Sequence, residues 1–521
     1  MSRPVIRPWW LALSLAATSG VLLTQAFPAP GIWAAAPLAL VLWFLVLLGR
    51  GFWSGLLYSL VASLAFWLTL ISWLTLYLGP LPWAALSTLM ALYMAVAGGG
   101  IALVFRWAPV LWPSRVGQLL LTPVLVASVW IARESFAASW PYGGYSWGRI
   151  AMSQTEGPFA GALSWFGASG LGWLIVALSA AAVQLWVCWR DSRDRLAHEP
   201  VRMRLGSIRQ PLLGLAIACI ALAALPNWPV HSAGSMRVLA VQGGVDSSLF
   251  TDLPRGAVLS AHADATLPYV DEQVDAVVWP ENAADIDPLQ DPSSAAVLDA
   301  LSRRMQAPFL VGTITERNDK VFNSSVLWQY PNGMVDWYDK AHPVPFAEYM
   351  PDRAFWRPFA PSLIDLIGRD YTPGTRSNVL DVNGTKTGVA ICFDIAYDNL
   401  IQEMIDGDAK VIFAQTNNAD FGRTEESQQQ LAIARMRALE TGRSVVNIST
   451  VSSSAIIDRT GQTLNSLPDW TPGAMLESVP LATGDTLAML WGTPLATMLS
   501  WLGVAGVLLI LVQKPRRRSP R

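Results

Sequence analysis

Lysine is almost missing from this chain, with five residues in 521 against 31 arginines. Cysteine is scarcer still: Cys188, Cys219 and Cys392 are all there are. The first two lie in or beside long apolar runs, so a globular region has no disulfide framework to draw on. The four histidines, His198, His231, His262 and His342, are scattered. No metal-ligand cluster is therefore expected, no phosphate-cradling glycine loop or internal repeat stands out, and no cofactor is implied. Charge is also thin, at 14% of residues beside 52% hydrophobic residues and 25 tryptophans. That is too apolar for an ordinary soluble protein. The charge is unevenly shared: 235–485 holds 33 acidic and 18 basic residues, the remainder 5 acidic and 18 basic. An acidic globular region argues against nucleic-acid binding, which needs a basic footprint.

What is present begins with eight apolar stretches near 9–26, 32–49, 53–78, 83–105, 116–133, 160–189, 210–227 and 490–512. Each approaches the roughly 20 residues that a helix needs to cross a bilayer. The first, preceded by Arg3 and Arg7, has the outline of a signal peptide, but further spans follow directly and it reads as an uncleaved helix. Eight spans put sixteen basic residues on one side. They are Arg3, Arg7, Arg50, Arg106 and Arg115, the arginines at 190, 193, 195, 202, 204 and 209, and the tail residues Lys514, Arg516, Arg517, Arg518 and Arg521. Arg133 and Arg149 border the other side. By the positive-inside rule both termini are cytoplasmic and the region between spans seven and eight faces outward. The expected division is a membrane domain at 1–230, a catalytic domain at 236–485, and a last helix with a basic tail at 486–521.

Within 236–485 strand-like runs recur at Val238–Gln242, Ala276–Trp279, Phe309–Gly312, Val321–Leu327, Gly388–Cys392 and Val411–Ala414, with helical patterns between several of them. Alternating strands and helices imply stacked layers. Two runs end in reactive groups, Val277-Val278-Trp279-Pro280-Glu281 and Gly388-Val389-Ala390-Ile391-Cys392, and Lys340 lies between them in Tyr338-Asp339-Lys340. A lone thiol is either a core residue or a nucleophile. As a nucleophile Cys392 needs help to lose its proton, and Lys340 can supply a cation while Glu281 takes the proton and returns it. The Lys340 ammonium and the Phe393 backbone N–H are candidates to hold a developing oxyanion. The gaps of 59 and 52 residues do not by themselves establish contact.

Glu…Lys…Cys in this order, with the Glu and the Cys each ending a strand-like run, resembles the nitrilase (carbon–nitrogen hydrolase) superfamily. The apolar spans around the domain narrow the resemblance to the apolipoprotein N-acyltransferases. The segment from Lys340 to Pro351, with Val344-Pro345-Phe346-Ala347-Glu348-Tyr349, is similar to that family's Lys-x-x-x-Val-Pro-Phe-Gly-Glu-Tyr-x-Pro. The resemblance implies a four-layer αββα sandwich outside the cytoplasm, carried by a polytopic α-helical membrane domain. It implies Glu281, Lys340 and Cys392 as the catalytic triad, with Glu348, Phe393 and Asp394 in support. The aromatic loop of Trp140, Tyr142 and Trp147 is expected to border substrate, as are Asn417 and Asp420. Two departures stand out. Cys392-Phe393-Asp394 replaces the usual Cys-Tyr-Glu, and Thr416-Asn417-Asn418-Ala419-Asp420-Phe421-Gly422 replaces Ser-Asn-Asp-x-Trp-Phe-Gly.

The expected reaction moves a fatty acyl group from a phospholipid, through a Cys392 thioester, to the α-amine of a diacylglyceryl-modified apolipoprotein. The protein is expected to be a monomer of a bacterial inner (cytoplasmic) membrane with its catalytic domain on the periplasmic side. An outward-facing amidase could use the same triad and would need a water-accessible, lipid-free pocket. A non-catalytic scaffold or transporter is a third class, but transporters usually carry polar groups within their spans, and these spans have almost none.

Overall fold

The computed structural model describes residues 4–195, 201–248, 251–366 and 368–514. Arg3 and the tail arginines Arg516, Arg517, Arg518 and Arg521 lie outside the described residues. The chain divides into two units: 1–75, 79–226 and 490–521 form one, and 76–78 with 227–489 form the other.

The first unit is helical. All eight apolar stretches contain helix, and five of these helices are long and apolar enough to cross a membrane: Phe52–Leu70, Pro80–Leu111, Gly117–Ala137, Ala160–Asp191 and Leu487–Gln513. Trp9–Thr24, Ala35–Leu47 and Arg209–Ala223 are shorter. The expected span at 53–78 is not one helix. It ends at Leu70, because Ile71 leaves helical geometry (φ −110°, ψ 29°), and a separate turn runs Leu74–Leu78. Small residues let two helices approach closely, as membrane packing favours. A Cβ on Gly98 would lie 1.9 Å from Ser59 Oγ, and one on Gly55 would lie 2.4 Å from the Ala102 Cβ. Trp43 Nε1 donates to the same Ser59 hydroxyl at 3.0 Å.

Arg133 and Glu134 belong to the helix Thr122–Ala137 and are buried. Glu134 Oε1 accepts from Trp130 Nε1 at 2.8 Å and from the Ile150 backbone N–H at 3.2 Å, and it pairs with Arg133 at 3.4 Å. The aromatic loop is split by burial. Trp147 is buried, stacked on Tyr145 (6.1 Å) and tilted against Trp73 (5.8 Å), whereas Trp140 is exposed beside Tyr93 and Phe136. Tyr142 is half-buried and adopts a positive φ of 51°.

The second unit is a two-sheet sandwich. One sheet contains β1 (His231–Gln242), β2 (Ala276–Val278), β3 (Phe309–Arg317), β4 (Lys320–Gln329) and β5 (Gly333–Asp339). The other contains β6 (Val379–Val382), β7 (Thr385–Ile391), β8 (Val411–Thr416), β9 (Ser444–Ser449), β10 (Ala455–Ile457) and β11 (Thr463–Ser466). β12 (Gly473–Thr483) returns to pair antiparallel with β1, giving the orders β12-β1-β2-β3-β4-β5 and β11-β10-β9-β8-β7-β6. Strand alternation sorts the side chains. Val238, Ala240, Val278 and Leu310 meet Val389, Ile391, Phe413 and Val446 in the core between the sheets. Leu239, Val241, Val277 and Phe309 turn the other way and pack with Leu259, Leu298, Leu301 and Met305 of the helices Ala257–Thr266 and Pro292–Met305. Helices Asp398–Asp406 and Glu426–Thr441 cover the second sheet. The layers are αββα. Each of the six expected strand runs is present, and β5, β6 and β9 to β12 were not among them.

Candidate active site

Glu281, Lys340 and Cys392 all sit just past a strand terminus of the sandwich, and side chains converge there. β2 ends at Val278, and the fully buried Trp279 then anchors the turn, its indole donating to Thr266 Oγ1 at 3.1 Å and its carbonyl accepting from Gln415 Nε2 at 2.6 Å. Glu281 follows, with Asn282 at φ 54°. β3 passes so close behind this turn that a Cβ at Gly312 would lie 2.2 Å from Pro280 O and 2.6 Å from Glu281 Cα. Only glycine fits there. Lys340 follows β5, and its backbone N–H donates to Asn323 O at 2.8 Å across the β4–β5 ladder. Cys392 comes straight after β7 at φ 53° and opens a 3₁₀ turn, Cys392–Ala396. A non-glycine residue in the left-handed region is strained, and such strain gathers at functional sites. Here it turns the thiol out of the sheet.

The hydrogen bonds join these elements. Lys340 Nζ lies 2.9 Å from Glu348 Oε2 and 3.4 Å from Glu281 Oε1. Asn323 Nδ2 donates to Glu281 Oε1 at 2.7 Å and to Glu348 Oε1 at 2.8 Å. The Asn417 backbone N–H takes the other Glu281 oxygen at 2.9 Å, and the Val344 N–H takes Glu348 Oε2 at 2.6 Å. Glu281 and Lys340 are almost wholly buried, and Cys392 is half-buried. Burial pushes the Glu281 carboxyl up, and the Lys340 ammonium only partly offsets it. Burial opposes charge on Lys340, yet Glu348 and Glu281 outweigh it and hold the amine well above its ordinary value. The Cys392 thiol is pushed well up, first by burial and then by Glu281, against the lowering pull of Lys340. A resting ammonium beside a neutral thiol and a nearby base can pass a proton in concert with attack, without first building a free thiolate.

Asp394 is wholly buried in the Cys392–Ala396 turn. It accepts from Tyr338 Oη at 2.9 Å and from the Ile391 N–H at 3.4 Å, and burial raises it to about 7. The Phe393 ring stands edge-on to Tyr397, 5.4 Å away, and His342 packs on the same Tyr397 at 4.3 Å. The Asn417 carboxamide oxygen is engaged by Ser247 Oγ, Thr450 Oγ1 and the Ala419 N–H, so this residue meets Glu281 through its backbone. Asp420 lies in the turn Ala419–Phe421, where Phe421 meets Tyr77 at 6.0 Å. Trp140, Tyr142 and Trp147 belong to the helical unit.

Sequence reasoning missed Asn323, which bridges both glutamates, and a buried group of Asn418, Glu426 and Gln430 beside the thiol. Asn418 Nδ2 donates to Glu426 Oε2 at 2.5 Å and to Gln430 Oε1 at 2.6 Å, and Gln430 Nε2 reaches Cys392 Sγ at 3.7 Å. A four-residue spacing on a helical pattern was the available signal for the last pair.

Family models match both parts of the chain. Residues 19–181 match the family model described as the apolipoprotein N-acyltransferase N-terminal domain, and 255–488 match the carbon–nitrogen hydrolase model. The apolipoprotein N-acyltransferase of Mycolicibacterium smegmatis is 31% identical, with 98% of this chain and 86% of that protein covered. That of Azotobacter vinelandii is 30% identical over 100% of this chain and 98% of its own length. Among solved structures, a mutant amidase of the nitrilase superfamily from Nesterenkonia covers 50% of this chain and 95% of its own, at 14% identity and a TM-score of 0.37. The chain belongs to the apolipoprotein N-acyltransferase family.

Proposed function

We propose that Cys392 carries a fatty acyl group as a thioester from a membrane phospholipid to the N-terminal α-amine of a diacylglyceryl-cysteine lipoprotein. One observation carries the reading. In a chain of this family, a thiol on a left-handed turn at the tip of β7 sits in the field of a buried Glu281–Lys340–Glu348 cluster. Glu281 takes the thiol proton as sulfur attacks the donor ester carbonyl. The Lys340 ammonium and the Phe393 N–H face the oxyanion of the tetrahedral intermediate. The carbon–oxygen bond then breaks, Glu281 returns the proton to the departing glycerol oxygen, and lysophospholipid leaves. In the second half-reaction the amine attacks the thioester and Glu281 takes its proton. The carbon–sulfur bond breaks as the amide forms, and the proton passes back to sulfur.

The helical unit would hold the protein in a bacterial cytoplasmic membrane. The sixteen basic residues on one side favour cytoplasmic termini and a catalytic domain, 236–485, on the periplasmic side. The exposed Trp140 and the half-buried Tyr142 suit an interfacial wall along which acyl chains approach, the buried Trp147 supports that loop through Tyr145, and Asp420 is assigned to the acceptor. The protein acts as a monomer in this reading.

Intact-mass spectrometry of purified enzyme after incubation with phospholipid tests the proposal. The expected result is a mass increase of one fatty acyl group, located on Cys392 and discharged by a diacylglyceryl-cysteine peptide. Release of free fatty acid with no adduct would point to hydrolysis and overturn it.

A further inference from the structure

The helix Glu426–Thr441 places Glu426 and Gln430 four residues apart on one face, and both side chains are buried behind the nucleophile. The triad chemistry uses neither. Gln430 Nε2 lies 3.7 Å from Cys392 Sγ, within reach of an N–H to sulfur hydrogen bond. An amide can present either end, so its orientation needs a cause. Asn418 supplies it. Its Nδ2 donates to Gln430 Oε1 at 2.6 Å and to Glu426 Oε2 at 2.5 Å, while its Oδ1 accepts from Ser449 Oγ at 3.3 Å. Turning Gln430 over would set two NH₂ groups against each other. Turning Asn418 over would set its oxygen against two acceptors. Turning both over together would set Asn418 Oδ1 against Glu426 Oε2, so Glu426 as acceptor holds the arrangement in which the glutamine donor faces the sulfur.

We propose that Gln430 is a positioning residue for the reaction, holding the Cys392 sulfur through its Nε2–H, with Asn418 and Glu426 locking its amide in that orientation. A donor at the sulfur favours the thiolate as it forms in attack and again as it leaves the thioester. Glu426 ends this chain as the acceptor of the Asn418 amide, and burial raises its carboxyl to about 8 while that hydrogen bond pulls it down. Once ionised it opposes the thiolate as Glu281 and Glu348 do, against the favourable pull of Lys340, so the donor from Gln430 works against that charge.

The inference rests on Cys392 as the nucleophile, and the test separates the two. Rates of iodoacetamide alkylation of Cys392 are measured against pH in the full-length, detergent-solubilised enzyme, which reads the sulfur without any acyl donor. Gln430→Met keeps the length and removes both the donor and the acceptor. It should move the alkylation midpoint to higher pH and slow acyl-enzyme formation about tenfold near neutral pH, the scale of one hydrogen bond to a charged group. Asn418→Leu, which frees the Gln430 amide without removing a charge, should shift the midpoint the same way by less. Gln430→Glu should shift it most, since a carboxylate cannot donate and adds negative charge. An alkylation profile identical to wild type in Gln430→Met and Asn418→Leu overturns the inference, whatever their melting temperatures. Failure of wild-type enzyme to form an acyl adduct would instead strike the proposed function and leave the alkylation comparison standing.

Discussion

Lys340 Nζ lies nearer to Glu348, at 2.9 Å, than to Glu281, at 3.4 Å. In the proposed mechanism the lysine is thus held by the carboxylate that moves no proton, and the base keeps the looser contact. Glu348 is itself fixed by the Val344 N–H and by Asn323. Glu348→Gln should therefore impair catalysis through Lys340, although the loss of its charge also lowers the Cys392 thiol and the Glu281 carboxyl. An amide can keep one acceptor oxygen only, so it loses either Asn323 or the Val344–Lys340 side. Breaking one partner of a buried ion pair costs several kcal/mol. We expect the burst of lysophospholipid release to slow by about 10²-fold or more, with a lower melting temperature. A wild-type burst would mean that Glu348 does not hold Lys340 in place.

Within the triad, Cys392→Ala should abolish the acyl-enzyme, and Cys392→Ser should be nearly inert because a hydroxyl is far harder to ionise. Glu281→Gln should slow both half-reactions by roughly 10²–10⁴-fold, the usual scale of lost general acid–base help. Lys340→Arg should not rescue Lys340→Ala, since a planar fork does not fit where one buried ammonium meets Glu348 and Glu281. Single-turnover mass spectrometry reads each step. Normal thioester formation in Glu281→Gln or Lys340→Ala would mean the triad is assigned wrongly.

Gly312→Ala tests the turn behind the base. A methyl there would fall 2.2 Å from Pro280 O and 2.6 Å from Glu281 Cα, both backbone atoms. Overpacking of this kind costs about 1–3 kcal/mol, and the strain falls on the loop that aims Glu281. The expected result is a lowered melting temperature together with slower acyl-enzyme formation. Unchanged kinetics in a destabilised variant would show that the Glu281 turn shifts without consequence.

Much of this site was legible because Glu281 and Cys392 each end a run whose pattern is that of a strand, and strand tips are where such folds present reactive groups; Lys340 was legible from its motif, since β5 was not among the expected strands. Asn323 was not. It reaches the two glutamates because β4 and β5 pair antiparallel, with Ser324 opposite Asp339, and register across a hairpin cannot be read from either strand alone. Glu426 and Gln430 carry a helical spacing, but nothing local says which face of that helix meets the thiol. The break after Leu70 was hidden for another reason: apolar residues continue to Leu78, so hydropathy runs on where the backbone does not.

Orientation in the membrane has its own test. A reporter active only outside the cytoplasm should be active when fused after Ser235 and silent when fused within the arginine-bearing segment after Arg195. The basic residues on the expected inner side set this outcome. The reverse pattern would place the catalytic domain in the cytoplasm and remove an exported lipoprotein as substrate.

Two buried acids give the folded protein a definite pH response. Burial raises Asp394 to about 7 and Glu426 to about 8, against ordinary values near 4 for carboxyls in an unfolded chain. Between those limits the folded state holds protons that the unfolded state has released. Stability from these groups is thus fully present below about pH 4 and is lost as pH rises through about 7 and 8. Each carboxyl can contribute up to about 1.4 kcal/mol per pH unit across its window. Lys340, raised by Glu348 and Glu281, loses its contribution in the same direction, but only at strongly alkaline pH. The catalytic domain should therefore melt at a higher temperature at pH 5.5 than at pH 8. Asp394→Asn and Glu426→Gln should each flatten that slope, because neither amide titrates. A slope unchanged in both variants would mean that these acids are ionised in the folded protein and that burial does not govern them.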